Sequence, residues 1–284
     1  MRLGILGLGS MGQPMARRLA QAGFNVIGFN RTRSRAEALL RDGVEVADSP
    51  DQACDVDLLI TMVTDDEAME QLFWQNGRFL TMGRPGLVHA GMSTISDTLA
   101  ARLAVEHRRY GQSYISAPVF GPPEAAQSGK LYIAAAGDAA VIERCRPALK
   151  VLGRVDVIGS DPATANVVKA AASFLMACVV EGLRDALTVV QAAGADPRQF
   201  AGLITQALFP TPVYQYLSGA LAKQLLAGGQ AIANPFVRSA LMSAASADRL
   251  GVAAPLAHQI ARQELPLSIA PPLPLAPSLP LPPL

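Results

Sequence analysis

The sequence predicts an α/β protein with a doubly wound, mainly parallel sheet in its N-terminal part and helices alone in its C-terminal part. Two observations support this. Short apolar runs alternate with amphipathic helical segments up to about residue 160. Beyond residue 160 the strand signal disappears, and helical segments that begin with proline follow one another.

The predicted strands are the apolar runs at 2–6, 24–29, 56–63, 86–92, 112–117, 131–137 and 155–159. Helices are predicted at about 10–22, 34–43, 96–111 and 139–151. Ser96 or Asp97 is the expected N-cap of the third of these helices. Strands alternating with helices in this way predict a sheet that helices cover on both faces.

A single long helix is predicted over 161–193, where Pro162 suits a first helical turn and Gly194 suits a helix end. At 1.5 Å per residue such a helix is about 45 Å long, which is more than most single domains need. We therefore predict a sheet domain at 1–160 and an all-α domain at 161–265 that begins with this interdomain helix. The Pro/Leu-rich tail at 266–284 should be polyproline II or disordered.

The composition indicates a globular protein with a large core, since half of the 284 residues are hydrophobic and the net charge is +1. This near-neutral charge gives no reason to expect a nucleic acid partner, and the basic group at 102–109 suits a solvated helix face. The three cysteines lie far apart, without metal-ligand spacing, which fits a reducing compartment. The apolar N-terminus is short and broken by glycines, so we expect no signal sequence, no membrane span and a cytoplasmic location.

Three glycines follow the first strand at the spacing Gly7-x-Gly9-x-x-Gly12, and a helix follows directly. In this context the first glycine permits a tight turn, the second lets a pyrophosphate approach the backbone, and the third lets the helix pack on the strand. The free N–H groups and the positive dipole end of the helix favour phosphates. The alternative is a plain glycine turn. The pattern favours a Rossmann-type dinucleotide site.

The end of the second strand indicates which dinucleotide binds. NAD sites usually carry Asp or Glu there for the ribose hydroxyls. This chain has Asn30, Arg31, Thr32, Arg33 and Arg35 instead, so no carboxylate repels a 2′-phosphate and guanidinium groups are close. We therefore expect NADP as the cofactor, the alternative being an exposed basic turn.

Lys169 is the one charged residue between Pro162 and Val180. Either its long side chain reaches solvent from a mostly buried helix, or its ammonium has a chemical role. Apolar neighbours should lower its pKa. His89, late in a predicted strand, has two open interpretations: a group near the cofactor, or a core or edge histidine.

Four motifs resemble the β-hydroxyacid dehydrogenase family, the group of 3-hydroxyisobutyrate dehydrogenase-like NAD(P)-dependent oxidoreductases. They are "GLGSMGQPMA" in the glycine loop, "GMSTIS" at 91–96, "APVFGPPEAAQSGKL" at 117–131 and "NVVKAAASF" around Lys169. The resemblance covers roughly residues 1–260. It implies a Rossmann domain, a long interdomain helix and an all-α domain that often forms dimers or tetramers.

The resemblance also implies the site. Cofactor contacts are expected from Gly7, Gly9, Ser10, Met11, Gly12, Asn30, Arg31, Thr32, Val63, Thr64, Ser93 and Thr94. Substrate contacts are expected from Ser93, Val119, Phe120 and Gly121. Catalytic roles are expected for Lys169, which falls on the family's catalytic lysine, and for Ser173 on the same helix face, and the chemistry needs no metal.

The chain departs from the family pattern at three places. Phe120 and Pro122 stand where the family usually has serine and glycine, which weakens a carboxylate site and admits a bulkier or less polar substrate. Ser173 stands where the family usually has asparagine, and Arg238-Ser239 is the best match to a family Lys-Asp pair.

The expected function is therefore hydride transfer between NADPH and a small hydroxy acid, semialdehyde or related carbonyl, with Lys169 as general acid or base. Two alternatives stay open. One is an imine reductase, which usually has another residue at the lysine position. The other is a catalytically impaired NADP-binding protein, which the three departures favour.

Overall fold

The structure, a computed structural model, describes residues 1–74, 83–227, 234 and 236–262. The chain forms two compact units, Met1–Ala172 and Ser173–Leu284. The boundary between these units falls inside the long helix. The domain bounds at 160 and 161 stay a prediction. The tail predicted at 266–284 lies outside the described residues.

One sheet organises the first unit. Its strands within the described residues are β1 (Arg2–Leu6), β2 (Asn25–Phe29), β3 (Glu45–Val46), β4 (Leu58–Thr61), β5 (Val88–Gly91), β6 (Ser113–Ser116), β7 (Val119–Phe120), β8 (Leu131–Ala136) and β9 (Gly153–Gly159). The strand order is β3-β2-β1-β4-β5-β6-β8-β7, and β9 pairs with β8. Strands β1 to β6 are parallel to their partners within that group, whereas β8 runs antiparallel to β6 and β7. The predicted fold class is confirmed.

Helices cover both faces of this sheet. They are α1 (Gly12–Gln21), α2 (Arg33–Glu37), α3 (Asp66–Phe73), α4 (Asp97–Arg109), α5 (Pro123–Ser128) and α6 (Ala139–Leu152). Successive strand residues point to opposite faces. Accordingly, Leu58 and Ile60 belong to one buried cluster, and Leu59 between them belongs to the other. The chain passes from β1 through β2 and β3 on one side and returns to β4 on the other, which opens a crevice at the carboxyl ends of β1 and β4.

Local differences from the prediction have simple causes. The helix expected at 34–43 is the short α2 followed by a 3-10 turn at Leu40–Asp42, which ends at Gly43 in the left-handed conformation, with φ of 81°. The strands β3 and β7 have two residues each, too few to show a period-2 pattern. Ser96 is the N-cap of α4, because its side chain accepts a hydrogen bond from the Leu99 N–H.

The long helix α7 spans Pro162–Ala192. Within the described residues it is the one helix long and apolar enough to cross a membrane by length and composition, a test that the core helices of soluble proteins also pass. The second unit continues with α8 (Pro197–Ala207), α9 (Pro212–Leu226), α10 (Val237–Leu250) and α11 (Pro255–Ala261). Proline at the start of α8, α9 and α11 fits the first helical turn, where no N–H partner is lost.

Candidate cofactor and active site

A cavity of about 570 Å³ opens in the first unit at the carboxyl ends of β1, β2 and β4. Its lining residues are Gly7, Gly9, Phe29, Asn30, Arg31, Thr32, Arg35, Met62, Val63, Thr64, Asp65, Glu67, Ala68, Gln71 and Leu72. Seven of these belong to the cofactor set predicted from sequence. The cavity therefore lies where a doubly wound sheet binds its ligand.

Two glycines of the loop are required by the protein's own backbone. Gly7 has φ of 96°, and a Cβ on it would overlap the carbonyl oxygen of Met62. A Cβ on Gly12 would overlap the carbonyl oxygen of Gly7. These contacts bring β1, β4 and the start of α1 closer together than any other residue type allows.

Gly9 is different, because a Cβ there would meet no protein atom within 4 Å and its φ is not positive. Gly9 lines the cavity, so an added Cβ would occupy the ligand space itself. Among the described residues, the N–H groups of Ser10, Met11 and Gly12 have no hydrogen-bond partner. No side chain caps α1, and no acidic residue lies in its first turn. This end of the helix therefore fits a pyrophosphate.

Asn30, at the end of β2, stabilises the glycine loop through hydrogen bonds. Its Oδ1 accepts a hydrogen bond from the Leu8 N–H at 3.0 Å, and its Nδ2 donates to the Thr32 carbonyl at 2.9 Å. The amide thus ties the glycine loop to the turn after β2. Asn30 lines the cavity as predicted, and this structure shows its amide engaged with the backbone.

The three arginines of the turn after β2 differ in their contacts. Arg33 forms ion pairs with Glu37 and Asp48, and only Arg31 and Arg35 line the cavity. Neither of these two forms an ion pair within the described residues. Two guanidinium groups therefore remain available to an anion at this end of the cavity.

The loop after β4 and the start of α3 form the side of the cavity opposite the arginines. Asp65 caps α3 by accepting from the Ala68 N–H, and the first turns of α3 supply Glu67, Gln71 and Leu72 to the cavity. Sequence reasoning missed these lining residues. The signal was present, because an aspartate before an acidic helical turn marks a helix that starts beside the crevice.

Ser93 is 1% exposed, and it joins the ends of β4 and β5. Its Oγ accepts a hydrogen bond from the Val63 N–H at 2.8 Å and lies 3.3 Å from the Thr61 carbonyl, to which it donates. Its hydroxyl therefore shapes the loop that carries Val63 and Thr64. Direct contact of Ser93 or of the half-buried Thr94 with a ligand stays a prediction.

Lys169 lies in the part of α7 that belongs to the first unit, and it contacts the substrate loop predicted from sequence. Its Nζ lies 4.3 Å from the centroid of the Phe120 ring. Among the described residues the ammonium has no ion pair and no hydrogen bond, so its three N–H donors are free. Burial lowers the pKa of Lys169 below its ordinary value.

Asn166, one helical turn before Lys169, anchors this part of α7 to the sheet. It is 2% exposed, and its Nδ2 donates to the Ser116 Oγ at 2.8 Å. Ser116 ends β6, so this bond fixes α7 against the strand that leads into the Phe120 loop. Sequence reasoning missed Asn166, although a second polar residue in an apolar helix was its visible signal.

The remaining predicted residues occupy separate positions. Val119 is buried in β7, and the exposed Gly121 follows Phe120 with φ of 134°. Ser173 is a buried residue of α7 that belongs to the second unit, and its role stays a prediction. His89 is fully buried and hydrogen-bonded to Thr61, which supports the interpretation as a core histidine.

Known proteins resemble the chain along most of its length. Residues 2–191 match the family model described as the NAD binding domain of 6-phosphogluconate dehydrogenase. An uncharacterized oxidoreductase, YfjR, of Bacillus subtilis (strain 168) is 35% identical over 227 residues, 79% of either chain. The chain belongs to the β-hydroxyacid dehydrogenase family. The 2-hydroxy-3-oxopropionate reductase of Escherichia coli (strain K12) is 33% identical over 199 residues, 69% of this chain and 68% of that enzyme.

The structural comparison agrees. A 3-hydroxyisobutyrate dehydrogenase of Mycobacterium tuberculosis, solved with L-serine, has a TM-score of 0.76 at 25% identity and 92% coverage of both chains. Family membership makes this β-hydroxyacid dehydrogenase homologue an oxidoreductase with an NAD(P)-binding domain. The family consists of dehydrogenases and reductases that act on hydroxy acids.

Proposed function

We propose that the protein is an NADPH-dependent oxidoreductase that interconverts a small semialdehyde and its hydroxy acid, or a related carbonyl compound and its alcohol. Lys169 is the general acid in the direction of reduction. The observation that carries the proposal is the state of Lys169. Its ammonium is partly buried, free of ion pairs and hydrogen bonds among the described residues, and in contact with Phe120 of the predicted substrate loop. A structural lysine would be paired or would extend to solvent.

When bound, a nicotinamide cofactor supplies the hydride that the carbonyl carbon accepts. The chain's own part is to manage the charge and the proton at the carbonyl oxygen. An N–H of Lys169 hydrogen-bonds that oxygen, and the proton moves from Nζ to it as the oxygen gains negative charge. The lowered pKa of Lys169 makes this transfer easier near neutral pH, and water then restores the proton.

Preference for NADPH over NADH is supported by the turn after β2. Arg31 and Arg35 line the cavity without carboxylate partners, and the end of β2 carries Asn30 where a carboxylate would repel a 2′-phosphate. Bidentate guanidinium contacts suit a phosphate monoester. The same turn supplies its own control, because Arg33 is held by Glu37 and Asp48.

We expect Arg31→Ala to weaken NADPH binding by about 10-fold to 100-fold and NADH binding hardly at all, because only NADPH carries the 2′-phosphate. Arg33→Ala should leave both affinities nearly unchanged. Isothermal titration of each nucleotide against wild type and both variants measures this. Equal losses for the two nucleotides in Arg31→Ala would contradict the assignment.

The proposal also covers the cellular location, the oligomeric state and the partners of the protein. We propose a cytoplasmic homo-oligomer, a dimer or tetramer, with a small-molecule substrate and no nucleic acid or membrane partner. Large apolar side chains exposed on the second unit support the oligomer: Leu175, Val189, Leu203 and Tyr216 are each more than 60% exposed in the single chain. Apolar area of this kind favours burial against a further copy.

The activity is tested by following NADPH oxidation with a panel of semialdehydes, uncharged aldehydes, ketones and cyclic imines. We expect turnover of carbonyl compounds. Turnover of imines alone would establish the imine reductase alternative. NADPH binding without turnover of any panel member would establish a catalytically impaired binding protein.

A further inference from the structure

Phe120 is the residue through which the substrate loop contacts Lys169. It ends β7, where it pairs with Tyr132 of β8, so its backbone is fixed by the sheet. Its half-buried ring lies against the Lys169 Nζ at a centroid distance of 4.3 Å. An aromatic face attracts an ammonium electrostatically, but it neither donates nor accepts a strong hydrogen bond. The ring therefore orients the ammonium and leaves its N–H donors free.

The chain beyond Phe120 is a poor binding site for an anion. Pro122 and Pro123 have no N–H, so Gly121 supplies the one backbone donor between Phe120 and Glu124. The exposed Glu124 adds a negative charge in the first turn of α5. The Ser116 hydroxyl at the end of the neighbouring strand is engaged with Asn166 and Tyr114.

A carboxylate within a few bonds of the reacting carbon would meet this apolar and acidic surface. Burying a carboxylate without charge-assisted hydrogen bonds is strongly unfavourable. Lys169 could pair with the carboxylate, but the ammonium would then be drawn away from the carbonyl oxygen that it has to protonate. An uncharged substituent avoids both costs, and it gains apolar contact with the Phe120 ring.

We propose that Phe120 is a specificity-determining residue that selects uncharged carbonyl substrates, aldehydes or ketones without a carboxylate near the reacting carbon, over aldehyde acids. The inference rests on the proposed function, because it assigns a substrate class to the site of Lys169.

The test compares one carbonyl with and without its negative charge. Succinic semialdehyde and its methyl ester are reduced with NADPH by wild type, Phe120→Ser and Phe120→Leu, and kcat/KM is measured for each. Wild type should favour the ester by about 10-fold or more, the equivalent of about 1.4 kcal/mol. Phe120→Leu keeps an apolar side chain and should retain the preference within about 3-fold, whereas Phe120→Ser should lower it by about 10-fold.

The outcomes separate this inference from the proposed function. Wild type that favours the acid, or a Phe120→Ser variant that binds NADPH normally and keeps the wild-type ratio, overturns the specificity assignment and leaves the reductase intact. If Phe120→Ser does not fold, Phe120→Asn takes its place, because it also puts a polar side chain at this position and should lower the preference. Absence of turnover with every carbonyl overturns the proposed function, and this inference with it.

Discussion

Replacing Lys169 with methionine should lower kcat by about 10²-fold to 10⁴-fold, the range of a general acid, and change the NADPH affinity by less than about 3-fold. Methionine has a similar length and keeps the apolar contact with Phe120, but it has no proton to donate. The cavity lined by the glycine loop and Arg31 does not include Lys169, so nucleotide binding should persist. Single-turnover reduction and nucleotide titration measure the two effects.

Lys150→Met is the matched control, since it makes the same chemical change at an exposed position of α6. Its kcat should equal that of wild type. A Lys169→Met variant that retains more than about a tenth of the wild-type kcat would rule out Lys169 as the proton donor.

Lys169→Arg distinguishes proton donation from charge alone. Wild-type reduction should slow as pH rises through the pKa of Lys169, which burial places below the ordinary lysine value. Arginine stays protonated throughout the accessible range, so the variant should be slow at every pH and lose this alkaline decline. A pH profile of kcat/KM that keeps its alkaline limb in Lys169→Arg would assign that limb to another group.

The sequence predicted those parts of the site that depend on local constraints. The spacing of Gly7, Gly9 and Gly12 reflects contacts within one strand–turn–helix unit, and the structure places the loop at the cavity. The long helix was readable from proline, glycine and the absence of strand signals, and it ends within one residue of the expected bounds. Lys169 was conspicuous because a lone charge in an apolar helix is costly.

The rest depends on partners far apart in sequence. Glu37, four residues after Arg33, is a local sign that Arg33 is paired, but its second partner, Asp48, lies 15 residues further on. The Ser93 hydroxyl is engaged by a backbone N–H 30 residues away. The contact between Phe120 and Lys169 requires both the antiparallel pairing of β7 with β8 and the packing of α7. Periodicity and composition record none of these pairings.

A buried chain of hydrogen bonds in the first unit should make its stability sensitive to acid. It joins the Thr61 hydroxyl, His89, His107 and Gln112, with successive distances of 2.8, 2.8 and 2.7 Å. The Gln112 Nε2 donates to the Gly83 carbonyl, so its Oε1 must accept from the Nδ1–H of His107. Nε2 of the neutral His107 then accepts from the Nδ1–H of His89, and the Nε2 of His89 accepts from Thr61. One arrangement of protons therefore satisfies every member.

Protonation of His107 breaks this arrangement, because its Nε2–H then faces the Nδ1–H of His89 and two donors meet. Protonation of His89 forces the Thr61 hydroxyl to change from donor to acceptor and leaves a buried charge. The aromatic rings of Phe73 and Tyr114 pack against the pair and offer it no counter-charge. Burial lowers the pKa of His107 to about 4 and that of His89 well below 6.5. In the unfolded chain both groups titrate near pH 6.5, so between pH 6.5 and about 4 the unfolded state binds protons that the folded state excludes.

We therefore expect the contribution of the neutral histidine pair to the free energy of unfolding of the first unit to be fully present above about pH 6.5. That free energy should fall by on the order of 3 kcal/mol toward pH 4 through His107 alone. The one tryptophan, Trp74, lies in this unit, so its fluorescence in urea reports the transition at each pH. His107→Leu should cost about 2 kcal/mol or more at pH 7.5, because His89 and Gln112 lose their partner, and it should flatten the acid dependence. His258→Leu, which removes a more exposed imidazole, should leave the wild-type slope unchanged. An equal slope in wild type and His107→Leu would refute the neutral histidine pair.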